Sequence, residues 1–350
     1  MRKLSKIIII SGCVAIILVG ISILALNWFM EPMRKDTIEI KSENISDQEE
    51  IQDKSDISME TNSETPENAE NIAIYEKEQR EDEIINILIS GVDARKYDTK
   101  SRSDTIILAS YNKTQHKVKL ISFMRDSYVL IPDHGWNRIN AATVYGGTGM
   151  LINTLNENFD LDIQNYVQVK FDDFKTIIDL LGGIDVELSK AEINYINNKL
   201  HTEDKDWNND IKSSPGVINL NGAQALWHCR NRTIGNSDFE RTERQREVLG
   251  ILVDKATSMK LGEASSLVFE IRKYINTNLD MTDILSIGSD VLMAGNIEVE
   301  SARIPFDGEF AYSNKNGASV LELDIEDNKE LLHEFIGYNS VEESTEINTD

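Results

Sequence analysis

The segment between residues 230 and 246, RNRTIGNSDFERTERQR, holds five of the chain's 14 arginines, although the protein has a net charge of −24. A guanidinium group matches two oxygens of a phosphate or carboxylate at once. Dense arginine in an acidic chain therefore indicates a site for a concentrated anion. The alternative is a solvated helix face, because glutamates interleave with the arginines at i,i+3 and i,i+4 spacing. The arginines are Arg230, Arg232, Arg241, Arg244 and Arg246, and the glutamates are Glu240, Glu243 and Glu247.

The same segment carries the signals of a helix N-terminus. Ser237 and Glu240 have capping-box spacing, which predicts a helix that begins at Ser237 or Asp238. At about 100° per residue, Arg246 points away from the apolar face of this helix. Cationic side chains on that face, beside a partly positive helix terminus, favour a buried anion site over a buried ion-pair network with Asp238 or Glu243. The residues that share the apolar face are Arg241, Arg244, Gln245, Val248 and Leu252.

Two aspartates stand at the ends of neighbouring predicted strands. Asp93 directly follows the apolar run Ile84–Val92, and Asp104 directly precedes the β-rich run Thr105–Ser110. If these ends face each other, the two carboxylates could hold Mg²⁺, which prefers hard oxygen ligands and keeps water and substrate phosphates in its shell. An aspartate at a strand end is otherwise a turn or cap residue.

A third charged pair, Arg125 and Asp126, follows the predicted strand Val118–Phe123. Arg125 could clamp a phosphate, while Asp126 orients it or serves as a general base. Taken alone, the pair is better explained by a strand-end salt bridge.

Apolar periodicity predicts the elements that position these side chains. Short β-rich runs alternate with helical patterns, which indicates an α/β fold. One hairpin combined with crossover units indicates a mixed sheet, so we expect a three-layer α/β/α domain with a central mixed sheet over residues 84–338. The expected strands are Ile84–Val92, Thr105–Ser110, Val118–Phe123, Tyr128–Ile131, Tyr166–Lys170 and Ile184–Leu188, and the expected helices cover residues 139–159, 171–181 and 222–229.

The chain upstream of this domain predicts a membrane anchor and a tether. Residues 7–29 contain no charged side chain and can span a hydrocarbon core of roughly 30 Å, with residues 1–6 as a cytoplasmic stub and the domain outside. A cleaved signal peptide is the alternative, but its apolar region is usually shorter. Residues 30–83 are expected to be an acidic disordered linker with a short helix near 72–82, since residues 31–84 carry 18 acidic and 6 basic side chains. Residues 339–350 form an acidic tail.

Taken together, seven ordered motifs over about residues 84–260 resemble the LytR-CpsA-Psr family. They are GVD at 91–93, SRSDT at 101–105, FMRDS at 123–127, RINAATVYGG at 138–147, NYVQVKFDDFKTIIDLLGGIDVEL at 165–188, PGVINLNGAQAL at 215–226, and RNR with DFERTERQR at 230–246. Two departures from the family pattern are Glu240, where a glycine is usual, and Trp227-His228-Cys229 before the first arginine.

The resemblance implies a membrane-anchored phosphotransferase of Gram-positive cell walls. Such enzymes transfer a glycopolymer from a polyprenyl pyrophosphate to a peptidoglycan acceptor and release polyprenyl phosphate. It implies Mg²⁺, or Mn²⁺, on Asp93 and Asp104, and a lipid slot that the helix at 171–181 could line, unless that face is ordinary core. No nucleic-acid partner is expected, because no helix-turn-helix or basic arm is present. The implied pyrophosphate ligands are Arg102, Arg125, Arg230, Arg232, Arg241 and Gln245, and the implied catalytic residues are Arg125, Asp126 and Asp238.

The required chemistry agrees with these residues, because phosphoryl transfer depends on positioning and on cations matched to the phosphoryl oxygens. Two other functions stay open from the sequence: a lipid-pyrophosphate hydrolase that uses water as acceptor, and a non-catalytic regulatory protein that binds polyprenyl phosphate. The identity of the glycopolymer also stays open.

Overall fold

The computed structural model describes residues 40–41, 73–75, 84–93, 102–235, 238–259, 266–267, 270–280, 283, 287 and 297–338. The strands are β1 Ile40–Lys41, β2 Ile74–Tyr75, β3 Ile84–Val92, β4 Ser103–Asn112, β5 Lys117–Phe123, β6 Ser127–Ile131, β7 Gly135–Arg138, β8 Asn165–Lys170, β9 Ile184–Leu188, β10 Gly216–Leu220, β11 Asn276–Thr277, β12 Glu298–Ile304, β13 Phe310–Lys315 and β14 Ala318–Leu323. The α-helices are α1 Ala142–Phe159, α2 Phe171–Leu180, α3 Lys190–Lys199, α4 Gly222–Cys229, α5 Asp238–Thr257 and α6 Ile325–Ile336.

Six strands form a central mixed sheet in the order β11-β8-β3-β4-β5-β12. β3 runs parallel to β8 and antiparallel to β4, and β5 runs parallel to β12, so the mixed sheet expected from the sequence is confirmed. Successive residues of β4 point to opposite faces. Leu108 packs on one face with Leu151 of α1 and Leu332 of α6, whereas Ile107 packs on the other face in a cluster that includes Leu249 of α5. The α/β fold with helices on both faces of the sheet is thereby confirmed.

The helix expected at residues 139–159 begins with a 3₁₀ turn, Ile139–Ala141, and continues as α1. Its expected interruption is present, because Gly146 and Gly147 leave helical geometry, with φ of −161° and 63°. The second value lies in the region that favours glycine. The break turns the chain after β7, and the rest of α1 covers the central sheet.

A second sheet of four strands, in the order β13-β14-β6-β7, lies outside the expected architecture, which included only part of β6. Its inner face joins the main core through Val129 and Ile131, both fully buried. β6 begins directly after Asp126, so this sheet borders the charged residues that follow β5. A separate ladder of β9 and β10 and the short parallel pair β1 and β2 complete the sheets of the described residues.

The linker prediction is wrong for Ala73–Tyr75. Ile74 is fully buried in the main core, and the amide of Asn153 on α1 accepts from Tyr75 N at 2.9 Å and donates to the carbonyl of Ala73 at 2.9 Å. The segment is a strand paired in parallel with β1, not part of the helix expected near 72–82. Burial of Ile74 and the two hydrogen bonds to the Asn153 amide fix residues 73–75 on the domain. Neither contact produces a periodic pattern in the sequence.

Among the residues that the structure describes, no helix combines the length and apolar content needed to cross a bilayer. The expected membrane span at 7–29, most of the linker and the acidic tail at 339–350 lie outside the described residues.

Docking of β2 is testable through Ile74→Ala, which removes a buried side chain and leaves a cavity. We expect the free energy of unfolding to fall by about 2–5 kcal/mol in urea titrations. Val217→Ala, at a position that is 72% exposed, is the matched control and should change stability by no more than about 0.5 kcal/mol. Equal stability of the two variants would show that residues 73–75 are not part of the folded domain.

Candidate functional site

Asp104 reaches the site through a β-bulge between β3 and β4. Gly91 pairs with Thr105 and Val92 pairs with Ser103, so Asp104 is the extra residue of β4. The hydroxyl of Ser103 donates to the carbonyls of Thr105 at 2.8 Å and Gly91 at 3.3 Å, which stabilises the irregular backbone. A bulge redirects a side chain locally, and here it turns the Asp104 carboxylate out of the sheet at the end where the chain leaves β3.

The Asp104 carboxylate lies among three arginines. Arg125 Nη1 donates to Asp104 Oδ1 at 2.8 Å, and Arg232 Nη2 lies 3.7 Å from the same oxygen. Burial alone raises the pKa of Asp104, but the hydrogen bond from Arg125 and the charges of Arg125, Arg241 and Arg232 outweigh it and hold the pKa below its ordinary value. The carboxylate is therefore ionised at neutral pH and serves as a counterion of the cluster.

Asp238, the first residue of α5, holds the same arginines from the opposite side. Its carboxylate is 3.1 Å from Arg125 Nε, 3.3 Å from Arg232 Nε and 3.6 Å from Arg241 Nη2. Sequence reasoning gave Asp238 the task of orienting the arginines, and the structure places it in contact with three of them. Through their shared arginines, Asp104 and Asp238 connect four segments of the chain: β4, the end of β5, the loop after α4 and the start of α5.

Arg241 is the most buried cation of this cluster, with only 2% of its side chain exposed. Burial lowers its pKa to about 10, and the charges of Arg232 and Arg125 oppose the stabilising charges of Asp238 and Asp104. Its Nε has no hydrogen-bond partner among the described residues. A buried guanidinium with incomplete pairing is costly unless it finds an anion, so Arg241 supports the anion-site interpretation.

Arg230 occupies the other side of the site, at the end of α4. Its guanidinium lies 4.6 Å from the ring centre of Phe171 and 5.0 Å from that of Trp227. Arg230 Nη2 also approaches Asp93 Oδ2 at 3.4 Å. These two rings hold the cation in place by cation–π attraction, and the ion pair draws in Asp93, which directly follows β3.

The cluster borders the mouth of an apolar cavity of about 240 Å³. The cavity lies between α2, the central sheet and α5, so a slot is present beside the helix for which a slot and ordinary core were the two alternatives. On this helix Ile178 is fully buried in the core, whereas Phe171, Phe174 and Leu181 line the cavity. The apolar lining includes Phe171, Phe174, Leu181, Ile89, Ile107, Val167, Val248 and Leu252, and the polar residues of the lining include Asp104, Arg230, Arg232, Arg241 and Gln245.

Comparison with known proteins now identifies the family. The LytR_cpsA_psr family model matches residues 39–336. The chain belongs to the LytR-CpsA-Psr family.

Two relatives and one solved structure show how this family member compares with characterised proteins. The chain is 29% identical over 259 residues to the regulatory protein MsrR of Staphylococcus aureus, covering 72% of this chain and 74% of MsrR. It is 28% identical over 207 residues to the polyisoprenyl-teichoic acid–peptidoglycan teichoic acid transferase TagT of Bacillus subtilis, covering 58% of this chain and 62% of TagT. A structure of TagT bound to LI-WTA matches with a TM-score of 0.59 and 26% identity, covering 75% of this chain and 94% of that chain.

Arg138 is a site neighbour that the sequence reasoning missed in this family member. Its Nη1 lies 3.3 Å from Asp126 Oδ1, and Asp126 in turn lies 3.6 Å from Arg125 Nε. Arg138 Nη2 also donates to the carbonyl of Ser319 on β14 at 2.5 Å. Its only sequence signal was its place at the start of the RINAATVYGG motif, since nothing local links it to Asp126.

Of the other arginines in the family motifs, Arg244 and Arg246 are buried outside the cluster and Arg102 is exposed. Arg244 is buried and pairs with Glu192 and Glu240, both at 3.3 Å, so it belongs to a buried ion-pair network, but with other partners than the expected Asp238 or Glu243. Arg246 lies on another face, as expected, but it is also buried, and burial lowers its pKa to about 10. Arg102 is exposed just before β4. The expected capping residue Ser237 lies outside the described residues.

Gln245 lies in the lining of the cavity and is not part of the ion-pair network. It is buried, lines the cavity, and donates through Nε2 to the carbonyl of Cys229 at 3.4 Å. Burial raises the pKa of the Cys229 thiol to about 12, so this cysteine remains protonated.

Two carboxylates of this site fit the requirements of Mg²⁺. Among the described residues, no group of three or more His, Cys, Asp or Glu side chains is arranged to hold a metal alone. Asp93 and Asp104 supply hard oxygens at one end of the β3–β4 hairpin, beside cations that would bind phosphate. Mg²⁺ commonly binds one or two carboxylates and completes its shell with water and substrate phosphates, and this donor set suits that mode.

The role of Asp238 as counterion is testable with Asp238→Asn, since asparagine has nearly the same size and shape as aspartate and only the charge is lost. Three guanidiniums would then repel one another, and we expect the free energy of unfolding to fall by about 1.5–3 kcal/mol. Asp172→Asn removes an exposed carboxylate near the start of α2 and should cost no more than about 0.5 kcal/mol. Urea unfolding of both variants measures this, and equal losses would contradict the counterion role.

Proposed function

We propose that the protein transfers a glycopolymer from a polyprenyl pyrophosphate to a sugar hydroxyl of peptidoglycan and releases polyprenyl phosphate. The observation that carries this proposal is the apolar cavity with the arginine cluster at its mouth. A prenyl chain needs an apolar enclosure and a pyrophosphate needs fixed cations, and both are met within one continuous site. The name of the relative TagT, a polyisoprenyl-teichoic acid–peptidoglycan teichoic acid transferase, agrees with this chemistry.

The charges of the site suit a pyrophosphate diester. Four arginines at the mouth face three carboxylates, which leaves a net charge of about +1 before any ligand binds. A bound Mg²⁺ adds two positive charges, and a pyrophosphate diester brings about two negative ones. The substrate is therefore held without a large excess of either sign. The arginines are Arg125, Arg230, Arg232 and Arg241, and the carboxylates are Asp93, Asp104 and Asp238.

The reaction we propose is a displacement at phosphorus. The acceptor hydroxyl oxygen bonds to the phosphorus on the glycopolymer side, the bond from that phosphorus to the bridging oxygen breaks, and the lipid phosphate leaves with the bridging oxygen. The hydroxyl proton passes to Asp126, to Asp93 or to a substrate phosphate oxygen. The arginines stabilise the charge on the phosphoryl oxygens and the leaving group, and ion pairs to Asp104 and Asp238 fix their positions in advance.

The proposal includes a cofactor and a location. Asp93 and Asp104 would hold Mg²⁺, or Mn²⁺, which would neutralise charge on the phosphate oxygens. Arg102, exposed before β4, would support the pyrophosphate from outside. The uncharged run at residues 7–29 would anchor the protein in the cell membrane as a single pass with its N-terminus inside. The domain would then meet both the lipid-linked donor and the wall on the outer side.

A second candidate function rests on the relative MsrR, which is named a regulatory protein. The same cavity and arginines could hold polyprenyl phosphate without catalysing transfer. The two functions differ in what they require of the carboxylates. Transfer needs Asp93 and Asp104 if these hold the metal, whereas a lipid receptor would tolerate the loss of Asp93.

The transfer proposal is tested with the full chain in detergent micelles, a polyprenyl-pyrophosphoryl N-acetylglucosamine donor and soluble peptidoglycan oligomers. We expect the sugar phosphate to become attached to peptidoglycan with Mg²⁺, and attachment to fall at least about tenfold with EDTA or in Asp93→Asn. Asp327→Asn, at an exposed position of α6 on the face of the central sheet opposite the cavity, should retain activity. Release of lipid phosphate without attachment would favour the hydrolase, and full function of Asp93→Asn would favour the receptor.

Arg232 offers a test of pyrophosphate binding that is separate from folding. It lies between Asp104 and Asp238 and is 38% exposed, so its removal should leave the core intact. We expect Arg232→Ala to weaken binding of the lipid pyrophosphate by about 1.5–3 kcal/mol, as for a charged hydrogen bond. Arg232→Lys should recover only part of this, because the guanidinium fork is lost.

Isothermal titration measures that binding, and thermal unfolding checks the fold. Lys329→Ala, on α6, is the matched control for loss of a cation and should bind as the wild type does. Unchanged binding by Arg232→Ala would remove this residue from the site. A variant that unfolds would instead assign it to the structural ion network.

A further inference from the structure

Two stacked aromatic rings stand on the outer face of the four-stranded sheet. The ring centres of Tyr128 on β6 and Trp136 on β7 are 5.7 Å apart, with an angle of 27° between the ring planes. Trp136 is 47% exposed. Lys315 Nζ lies 5.8 Å from the centre of the Tyr128 ring and pairs with Glu322 at 2.7 Å. The face thus combines flat apolar surfaces with charged groups along their edges.

Core packing does not account for these rings. Residues on β6 alternate between faces, and Ser127, Val129 and Ile131 are fully buried on the side toward the main core. Tyr128 lies on the opposite side, as does Trp136, which pairs with the outward-facing Leu130. A large aromatic side chain kept at the surface is typical of a binding surface rather than of a structural one.

This face is continuous with the charged cluster. Arg138 lies opposite Tyr128 in the β6–β7 ladder and two residues after Trp136, so all three side chains are on one face. Two residues along a strand span roughly 7 Å, which is the separation of Trp136 and Arg138 along β7. Arg138 contacts Asp126 at 3.3 Å, and Asp126 contacts Arg125 at 3.6 Å. A ligand lying on the exposed Trp136 ring would therefore extend toward the arginines that we propose bind pyrophosphate.

The rings are separate from the prenyl cavity. As far as the structure describes it, the lining of the cavity includes no residue of β6 or β7 and not Asp126. In phosphoryl transfer the attacking and leaving oxygens are roughly in line with the phosphorus between them. If the leaving lipid phosphate points into the cavity, the attacking hydroxyl must arrive from outside it, and Asp126 and the outer face of this sheet lie outside the cavity lining.

We propose that Trp136, supported by the stacked ring of Tyr128, binds the glycan strand of the peptidoglycan acceptor, an inference that rests on the proposed transferase function. Pyranose rings of amino sugars present a C–H face, which stacks on the partly negative face of an aromatic ring. Their hydroxyl and acetamido groups lie at the ring edge, where Arg138, Lys315 and Glu322 can hydrogen-bond to them. The platform positions one sugar hydroxyl toward the phosphorus and contributes affinity for the acceptor rather than for the donor.

The test is a titration of the full chain in detergent micelles with soluble glycan oligomers of alternating N-acetylglucosamine and N-acetylmuramic acid. We expect Trp136→Ala to weaken this binding about tenfold or more, as for an aromatic anchor, and Trp136→Phe to retain most of it. Trp207 is the matched control, because it is 60% exposed and stacks on His201 at 5.6 Å in a different part of the fold. Trp207→Ala should bind the glycan as the wild type does.

Kinetic measurements separate this platform from the catalytic site. Trp136→Ala should raise the KM for the glycan acceptor and leave unchanged kcat at saturating acceptor and the binding of polyprenyl-pyrophosphoryl N-acetylglucosamine. Equal glycan binding by Trp136→Ala and the wild type would overturn the proposal. Weakened binding of the lipid donor or of soluble poly(glycerol phosphate), with the glycan unaffected, would overturn it in favour of a donor surface.

The titration needs no catalysis, so its outcome is independent of the proposed transfer. If the wild type binds the glycan through Trp136 but attaches no sugar phosphate to it, the transferase function fails while the glycan platform stands. If transfer occurs and Trp136→Ala leaves glycan binding unchanged, the platform fails while the transferase function stands.

Discussion

The convergence of three guanidiniums on the Asp238 carboxylate is the interaction on which the arrangement of the site depends. Arg125, Arg232 and Arg241 come from different segments, and like charges at such distances separate unless a counterion holds them. Asp238 supplies that counterion from the first turn of α5, and Asp104 supplies a second from the bulge of β4. The cluster is thus assembled before any substrate arrives, and a pyrophosphate that enters it meets cations already in position. Preorganised charge of this kind is the main means by which proteins accelerate phosphoryl transfer.

The fold explains how one site can serve both an apolar chain and a charged group. Helix α2 leaves the end of β8 and α5 crosses the same face of the central sheet, so the space between them is lined by aliphatic and aromatic side chains. Both helices begin at the end of the sheet where β3 finishes and β4 has its bulge. The charged residues therefore lie at that end, while the interior of the cavity is apolar. An apolar wall beside the guanidiniums lowers the local dielectric constant, which would strengthen their contacts with the phosphate oxygens of the proposed substrate.

The sequence predicted most of what local patterns determine. The bounds of β3 and β9 agree with the expectation because apolar alternation ends there at clear turn residues, and helical phase placed Arg241 and Arg244 inward. Helical phase alone could not separate these two arginines. Arg241 pairs with the nearby Asp238, which also holds the distant Arg125, whereas Arg244 pairs with Glu192, 52 residues away. The pairing of β12 with β5 and the contact of Arg138 with Asp126 were missed for the same reason. Such non-local contacts leave no periodic signal in one sequence.

Glu240 stands where the family motif usually has glycine, and it is the departure nearest the site. It shows why an added carboxylate need not weaken the positive charge of the arginine cluster. Its carboxylate pairs with Arg244 at 3.3 Å, and Arg244 also contacts Glu192 and donates to the carbonyls of Asn231 and Ile234. The negative charge of Glu240 is thus neutralised by Arg244, which is part of the structural ion-pair network and not of the cluster at the cavity mouth. Its side chain packs so closely on Gly235, at φ of 82°, that any Cβ there would collide with it. Glycine at 235 and arginine at 244 together accommodate the glutamate, so the arginines at the cavity mouth keep their own counterions, Asp104 and Asp238.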